Sequence, residues 1–479
     1  MPSVGLNIDI TPLVNAMVAG NTDQMTGITR QLLEPGTGAS ELIGRVGMIA
    51  AHGDSEGHIM LTLAAASMMS RWFIAWQHLL GQDPTDSRRA FPLVTQSLIA
   101  AVPAVRAGRA AYDAQNVYLE PLFPSGLPEG QTVNTAMHDA IFGNDARMVE
   151  RLLLGLYGTG ADYRTMHIRL YDAIATTFQN AGHPLMFVVR GFQLLDAVEW
   201  GTRVPNIVHW LAPHTPIHAE EPPWVNMVRS YLSEPSHSLA SYRTRLATPK
   251  EENSLPLRRL LLSDATTPQI CQAVFDALIK NGASAHGVSS VIALSAADLM
   301  QQVGDTDRDA FIAAAHGLLY TAAIRIAFLQ VQEVEALPLL FMAACYLHAL
   351  HSELPAQSAG APATPTRSTV LGGGLIAPSL LDTLGEQLEV QDVTGAFTTT
   401  RRYIQLGHDP RAMFAAIALA AAQTDASADQ GHTLQIVQAA GEVYMAWPAA
   451  LRDVSTERLL QVALRAAAFA KRSTPATNP

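Results

Sequence analysis

One mark recurs along this chain at a nearly constant interval. Gly57-His58-Ile59-Met60, Gly182-His183-Pro184-Leu185 and Gly431-His432-Thr433-Leu434 each follow a polar turn and open an apolar stretch. Arg308-Asp309-Ala310-Phe311 stands at the matching place in another segment. His58, His183, Asp309 and His432 are separated by 125, 126 and 123 residues. Spacing this regular points to internal duplication, so the fold is expected to be one unit repeated four times.

Each unit reads as about four helices. The first helices are expected at Thr22–Leu33, Asp145–Tyr157, Pro268–Lys280 and Val393–Leu406, and the second at Glu41–Ala51, Tyr163–Asn180, Ser289–Val303 and Pro410–Gln423. The marks above open the third. Ala90–Val105, Pro205–Leu211, Leu337–Ser352 and Thr456–Lys471 close the units. Within the second unit Met186, Val189, Phe192, Leu195 and Val198 recur at three-residue steps, giving one broad apolar helix face. Alternating β-branched runs bounded by hairpin turns are missing, so the expected class is all-α. The units are placed at 1–118, 132–235, 255–353 and 375–475, packed around a central cavity, with a low-complexity Ala/Pro/Thr/Gly linker over 354–374.

Composition removes several function classes. The net charge of −11 argues against a nucleic-acid groove or an anionic membrane surface as partner. Cys271 and Cys345 are too few for a disulfide framework, which fits a reducing cytoplasm. The opening MPSVGLNIDITPLVNAM has neither the basic region nor the long apolar core of a signal peptide, and no uncharged apolar run of membrane-spanning length stands alone. P-loop, GxSxG, HExxH, EF-hand and strand-preceded GxGxxG patterns are absent, as are paired ExxH motifs.

The histidines carry the chemistry. Histidine is not a favoured helix cap, so its return at three equivalent helix starts needs a reason. If the units close around an axis, His58, His183 and His432 converge there, with Asp309 or His52 completing a set of three histidines and one carboxylate or a fourth imidazole. Such a set suits iron, with manganese and zinc as alternatives. The competing reading is a structural histidine bonded to a neighbouring carbonyl, repeated by descent. His316 lies two helical turns beyond Asp309 and so faces the same way. His167, His348 and His351 read as structural or solvated. His209, His214 and His218, followed by Glu220 and Glu221, lie in a Pro-containing segment read as a loop without zinc spacing.

The text Gly182-His183-Pro184-Leu185-Met186-Phe187 resembles the HPLIH-type motif of the questin oxidase-like family, with Phe187 where the pattern has its second histidine. That resemblance implies an all-helical fold and oxygenation of polyketide aromatics. It also implies iron held by histidines and, in some members, by a carboxylated lysine. Only His183 carries over by motif, and His58 and His432 follow by internal repetition. The lysines present are Lys250, Lys280 and Lys471, all near loops or helix ends. The Gly-His helical units also look like helical domains that accompany Rieske-type modules, although this chain has no Rieske ligands.

The expected function is a metal-dependent oxygenase or oxidase acting on a hydrophobic small molecule in a pocket that includes Met60, Met186 and Phe187. A homodimer and an electron-donor protein stay open as further partners. The alternative is a non-catalytic helical scaffold, which would spread the histidines along a solenoid. Haem bound through one axial histidine is a third reading.

Overall fold

The computed structural model describes residues 9–33, 38–83, 86–114, 117–161, 163–243, 255–304, 307–354, 377–423 and 425–469. All regular structure among them is helical, with no strand. Most of the linker expected over 354–374 lies outside the described residues, as do Lys250 and Lys471.

Four helices make up the centre: α1 (His58–Ser70), α2 (His183–Ala197), α3 (Arg308–Gln330) and α4 (His432–Met445). They are the third helices expected from the sequence. Their packing closes a ring, in which α1 touches α2 and α4, and α3 touches α2 and α4. Each is buried along nearly its whole length, because outer helices cover its remaining faces. Ala39–Ala50 and Phe91–Ala114 flank α1, and Tyr163–Ile174 and Val204–Leu211 flank α2. Ala285–Gln302 and Pro338–Glu353 flank α3, while Pro410–Ala421 and Glu457–Ala468 flank α4.

The same joint recurs around the ring. Gly57, Gly182 and Gly431 sit just before α1, α2 and α4 with φ of 83°, 84° and 74°, a region only glycine enters without cost. A Cβ at Gly57 would overlap the Phe187 ring of α2, one at Gly182 the Tyr320 ring of α3, and one at Gly431 the Thr62 side chain of α1. Phe187, Tyr320 and Thr62 stand four residues after His183, His316 and His58, one helical turn further along their helices. Each helix start is thus wedged against its neighbour one turn past that neighbour's histidine.

Buried carboxylates complete two of these starts. Glycine has no side chain to cap the exposed N–H groups, so Asp54 accepts from the Gly57 and Met60 N–H groups at 3.0 and 2.8 Å. Asp429 does the same for Gly431 and Thr433 at 2.9 and 3.0 Å, and also pairs with Arg308 at 3.0 Å. Further along the ring, the buried Arg325 of α3 donates to Ser290 Oγ, His286 Nε2 and the Ala446 carbonyl. Arg190 of α2 faces Glu442 of α4 at 3.6 Å.

Four helical stretches, His58–Leu79, Ser87–Ala114, Arg308–Gln330 and Val334–Glu353, are long and apolar enough to cross a membrane, contrary to the sequence expectation. Between 56% and 78% of their apolar windows is buried within the protein, in both central and flanking helices. Replacing Gly182 with alanine places a methyl on the Tyr320 ring and a side chain in the left-handed region. We expect a loss of about 2–4 kcal/mol, read as a lowered denaturation midpoint, and an unchanged midpoint would contradict the joint described here.

Candidate metal centre

The ring brings the histidines to one end of the bundle. His58, His183 and His432 are the first residues of α1, α2 and α4, and one ligating nitrogen from each lies within 4.8 Å of the others. These three close histidines could hold a metal ion. A fourth imidazole joins them from α3: His316 lies 5.1 Å from His183 and 4.9 Å from His432 between ring centroids. His316 Nε2 is 3.2 Å from His432 Nε2.

Tautomers follow from the partners of the other ring nitrogen. His183 Nδ1 meets the Asn180 carbonyl, His432 Nδ1 the Asp429 carbonyl at 2.6 Å, and His316 Nδ1 the Ile312 carbonyl at 2.8 Å. A carbonyl only accepts, so each Nδ1 carries the hydrogen and each Nε2 presents a lone pair. At His316 and His432 two such lone pairs face each other with no hydrogen between them. That contact needs either a proton or a cation. Two nitrogens bonded to one ion at about 2.0–2.1 Å stand about 2.9–3.4 Å apart, which brackets the observed separation. An Nδ1–H fixed by a carbonyl is also the usual support of a metal-bound imidazole.

Electrostatics oppose the proton. Burial, then the neighbouring imidazoles His432 and His316, push His58 down to about 4. Burial brings His183 to about 4 and His316 to about 3, and it lowers His432. Three of the four rings also start helices, whose partly positive ends disfavour an imidazolium further. His286, outside the cluster, is held at about 4 by burial and by Arg325.

Two clefts meet at this cluster. His58 and His183 line a cavity of about 910 Å³, and His316 and His432 line a second of about 600 Å³. The larger one also takes His52, His209, His214 and His218 into its wall. Phe187, Trp210 and His214 form its aromatic side, with ring centroids 4.9–5.5 Å apart.

Of the five residues expected as ligands, His58, His183 and His432 converge and Asp309 and His52 fall outside that group. Asp309 is exposed on the rim of the second cleft, because α3 starts two turns before the cluster. On α3 it is His316, not Asp309, that lies beside His183 and His432. His52 turns the other way, with Nε2 bonded to Asn206 Oδ1 at 2.9 Å and its ring stacked on His209. His209, read as part of a loop, belongs to the helix Val204–Leu211. His167 packs among Tyr163, Tyr171, Phe192 and Trp200, and His348 is buried with Nδ1 facing the Leu261 carbonyl, both in line with structural use. No family model, curated protein or solved structure matches this chain.

Protonation should couple to folding with a definite sign. The depressed histidines stay neutral when folded to a lower pH than when unfolded. Between about pH 4 and pH 6.5 the unfolded chain therefore binds more protons, and stability falls as pH falls through that window. Asp54, raised to about 6 chiefly by burial, and Asp172 and Asp196, also raised chiefly by burial, act in the opposite sense, but they are outnumbered by the lowered His52, His58, His183, His214, His286, His316, His351 and His432. For metal-free protein we expect the urea midpoint to drop steadily from about pH 7 to about pH 4.5. His316→Gln should flatten that slope, and a pH-independent wild-type midpoint would contradict the assignment of neutral buried imidazoles.

Proposed function

We propose that His58, His183, His316 and His432 hold one divalent transition-metal ion, and that the protein is a metal-dependent oxygenase or oxidase of a hydrophobic, aromatic small molecule bound in the larger cavity. The observation that carries this reading is the pair of Nε2 lone pairs on His316 and His432, 3.2 Å apart with both Nδ1 atoms bonded to carbonyls. We read the four central helices and their flanking helices as four copies of one ancestral unit, each giving one imidazole.

The donor set fits an ion of intermediate softness, since imidazole suits iron, manganese and zinc while hard cations prefer oxygen. Iron is favoured over zinc. Four nitrogens close a tetrahedral zinc site, whereas iron takes five or six ligands and keeps positions open toward a cavity. When bound, the ion would supply Lewis acidity and redox capacity for oxygen chemistry. The chain's own part is to orient His183, His432 and His316 through the Asn180, Asp429 and Ile312 carbonyls, with His58 placed by the start of α1, and to limit water. Phe187 and Trp210, both largely buried, make their part of the larger cavity's wall apolar. An open solenoid would keep the histidines far apart, so their convergence supports the enzyme reading over the scaffold. The cytoplasm is the proposed compartment, a reading that Cys271 and Cys345 support as buried free thiols.

Protein purified without added metal should contain about one iron, manganese or zinc ion per chain. His183→Ala and His316→Ala should each lose most of it while keeping their helical circular dichroism. Folded wild type that neither carries nor takes up any of these ions would overturn the proposal.

A further inference from the structure

The larger cavity holds a second, metal-independent device. Glu150, on the helix Ala146–Gly158, points its buried carboxylate at His209, with Oε1 3.1 Å from His209 Nδ1. The same oxygen accepts the Leu119 N–H at 3.3 Å, which fixes its position. A carboxylate facing Nδ1 makes that nitrogen the donor, so His209 Nε2 carries the lone pair. Among the described residues no protein group bonds to Nε2, and the side chain is one-third exposed on the cavity wall. This is a positioned base with an acidic orienter, the arrangement that general-base chemistry requires.

The cavity wall carries charge of both signs: Glu56 is exposed in it, and Asp54 lies in it bonded to the Gly57 and Met60 N–H groups. The starts of α1 and α2 open on it through His58 and His183, and helix starts are partly positive. The groups facing His209 from other elements are His52, stacked at 5.4 Å, and Tyr118, edge-on at 5.9 Å, both tied to Asn206 Oδ1. Glu150 is the one acidic group bonded to the ring.

We propose that His209, oriented by Glu150, takes the proton from a weakly acidic hydroxyl on a small molecule held in the larger cavity, whose wall includes His214 beside the buried Phe187 and Trp210 rings. The O–H bond breaks and its electron pair stays on the oxygen. The proton bonds to His209 Nε2, and the resulting imidazolium is balanced by the Glu150 carboxylate. This role deepens the proposed function by naming the substrate's acidic group, and it rests on that reading only for the oxygen chemistry that the ionised substrate would then undergo.

The test uses full-length protein stripped of metal with EDTA, so that it can fail or succeed apart from the metal proposal. The probe is 4-nitrophenol, whose neutral and ionised forms differ in absorption spectrum. Wild type should bind it largely as the phenolate at a pH below the probe's own pKa. His209→Asn should bind it with the ionised-to-neutral ratio lowered about tenfold or more, equivalent to at least about one pKa unit. Glu150→Gln keeps an acceptor for Nδ1–H but not the charge, and should give an intermediate ratio. Binding of the neutral phenol by wild type, no binding at all, or equal ionisation by folded His209→Asn would each overturn the proposal.

Discussion

The close approach of each helix start to its neighbour's side chain decides the geometry of this protein. A left-handed glycine without a Cβ lets α1 seat against Phe187, α2 against Tyr320 and α4 against Thr62. Because those contacts fall one turn past a histidine, they set the height at which neighbouring helices meet. The imidazoles are brought level as a result. The Gly-His pair therefore puts a joint and a candidate ligand in adjacent residues, and neither half is explained by helix propensity.

The joint has an electrostatic consequence. Helix starts aimed at a common point would repel a cluster of imidazolium ions, and burial acts in the same direction. Asp54 and Asp429 relieve part of the strain by capping α1 and α4, and their charge is largely taken up by backbone N–H groups and Arg308. What remains at the centre is a set of neutral rings with lone pairs turned inward. In a low-dielectric setting unmatched lone pairs are costly, and a coordinated cation is the partner that matches all of them.

The helical class and the four central helices were legible in the sequence, because apolar periodicity and the Gly-His marks are local signals. Three of the four clustered histidines followed from the same marks. The fourth did not. Arg308-Asp309 aligns with the other helix starts, but α3 begins two turns earlier relative to the ring than its counterparts, so the functional equivalent is His316. A start-to-start alignment could not detect that extension, whereas Tyr320, four residues after His316 as Phe187 is after His183, was an available clue. The pairing of His209 with Glu150 joins residues 59 positions apart on helices whose packing no local pattern specifies. His52 shows the converse: its nearness to His58 in sequence suggested a shared site, and although both line the larger cavity, His52 is bonded to Asn206 and stands outside the histidine group.

The central claim is that one ion is held by imidazoles from α1, α2, α3 and α4. X-ray absorption at the metal edge of the protein as purified tests it most directly. The account predicts a shell of three or four nitrogens at about 2.0–2.2 Å, with the outer-shell scattering of imidazole rings. A first shell of sulfur, or of oxygen without imidazole scattering, would contradict it.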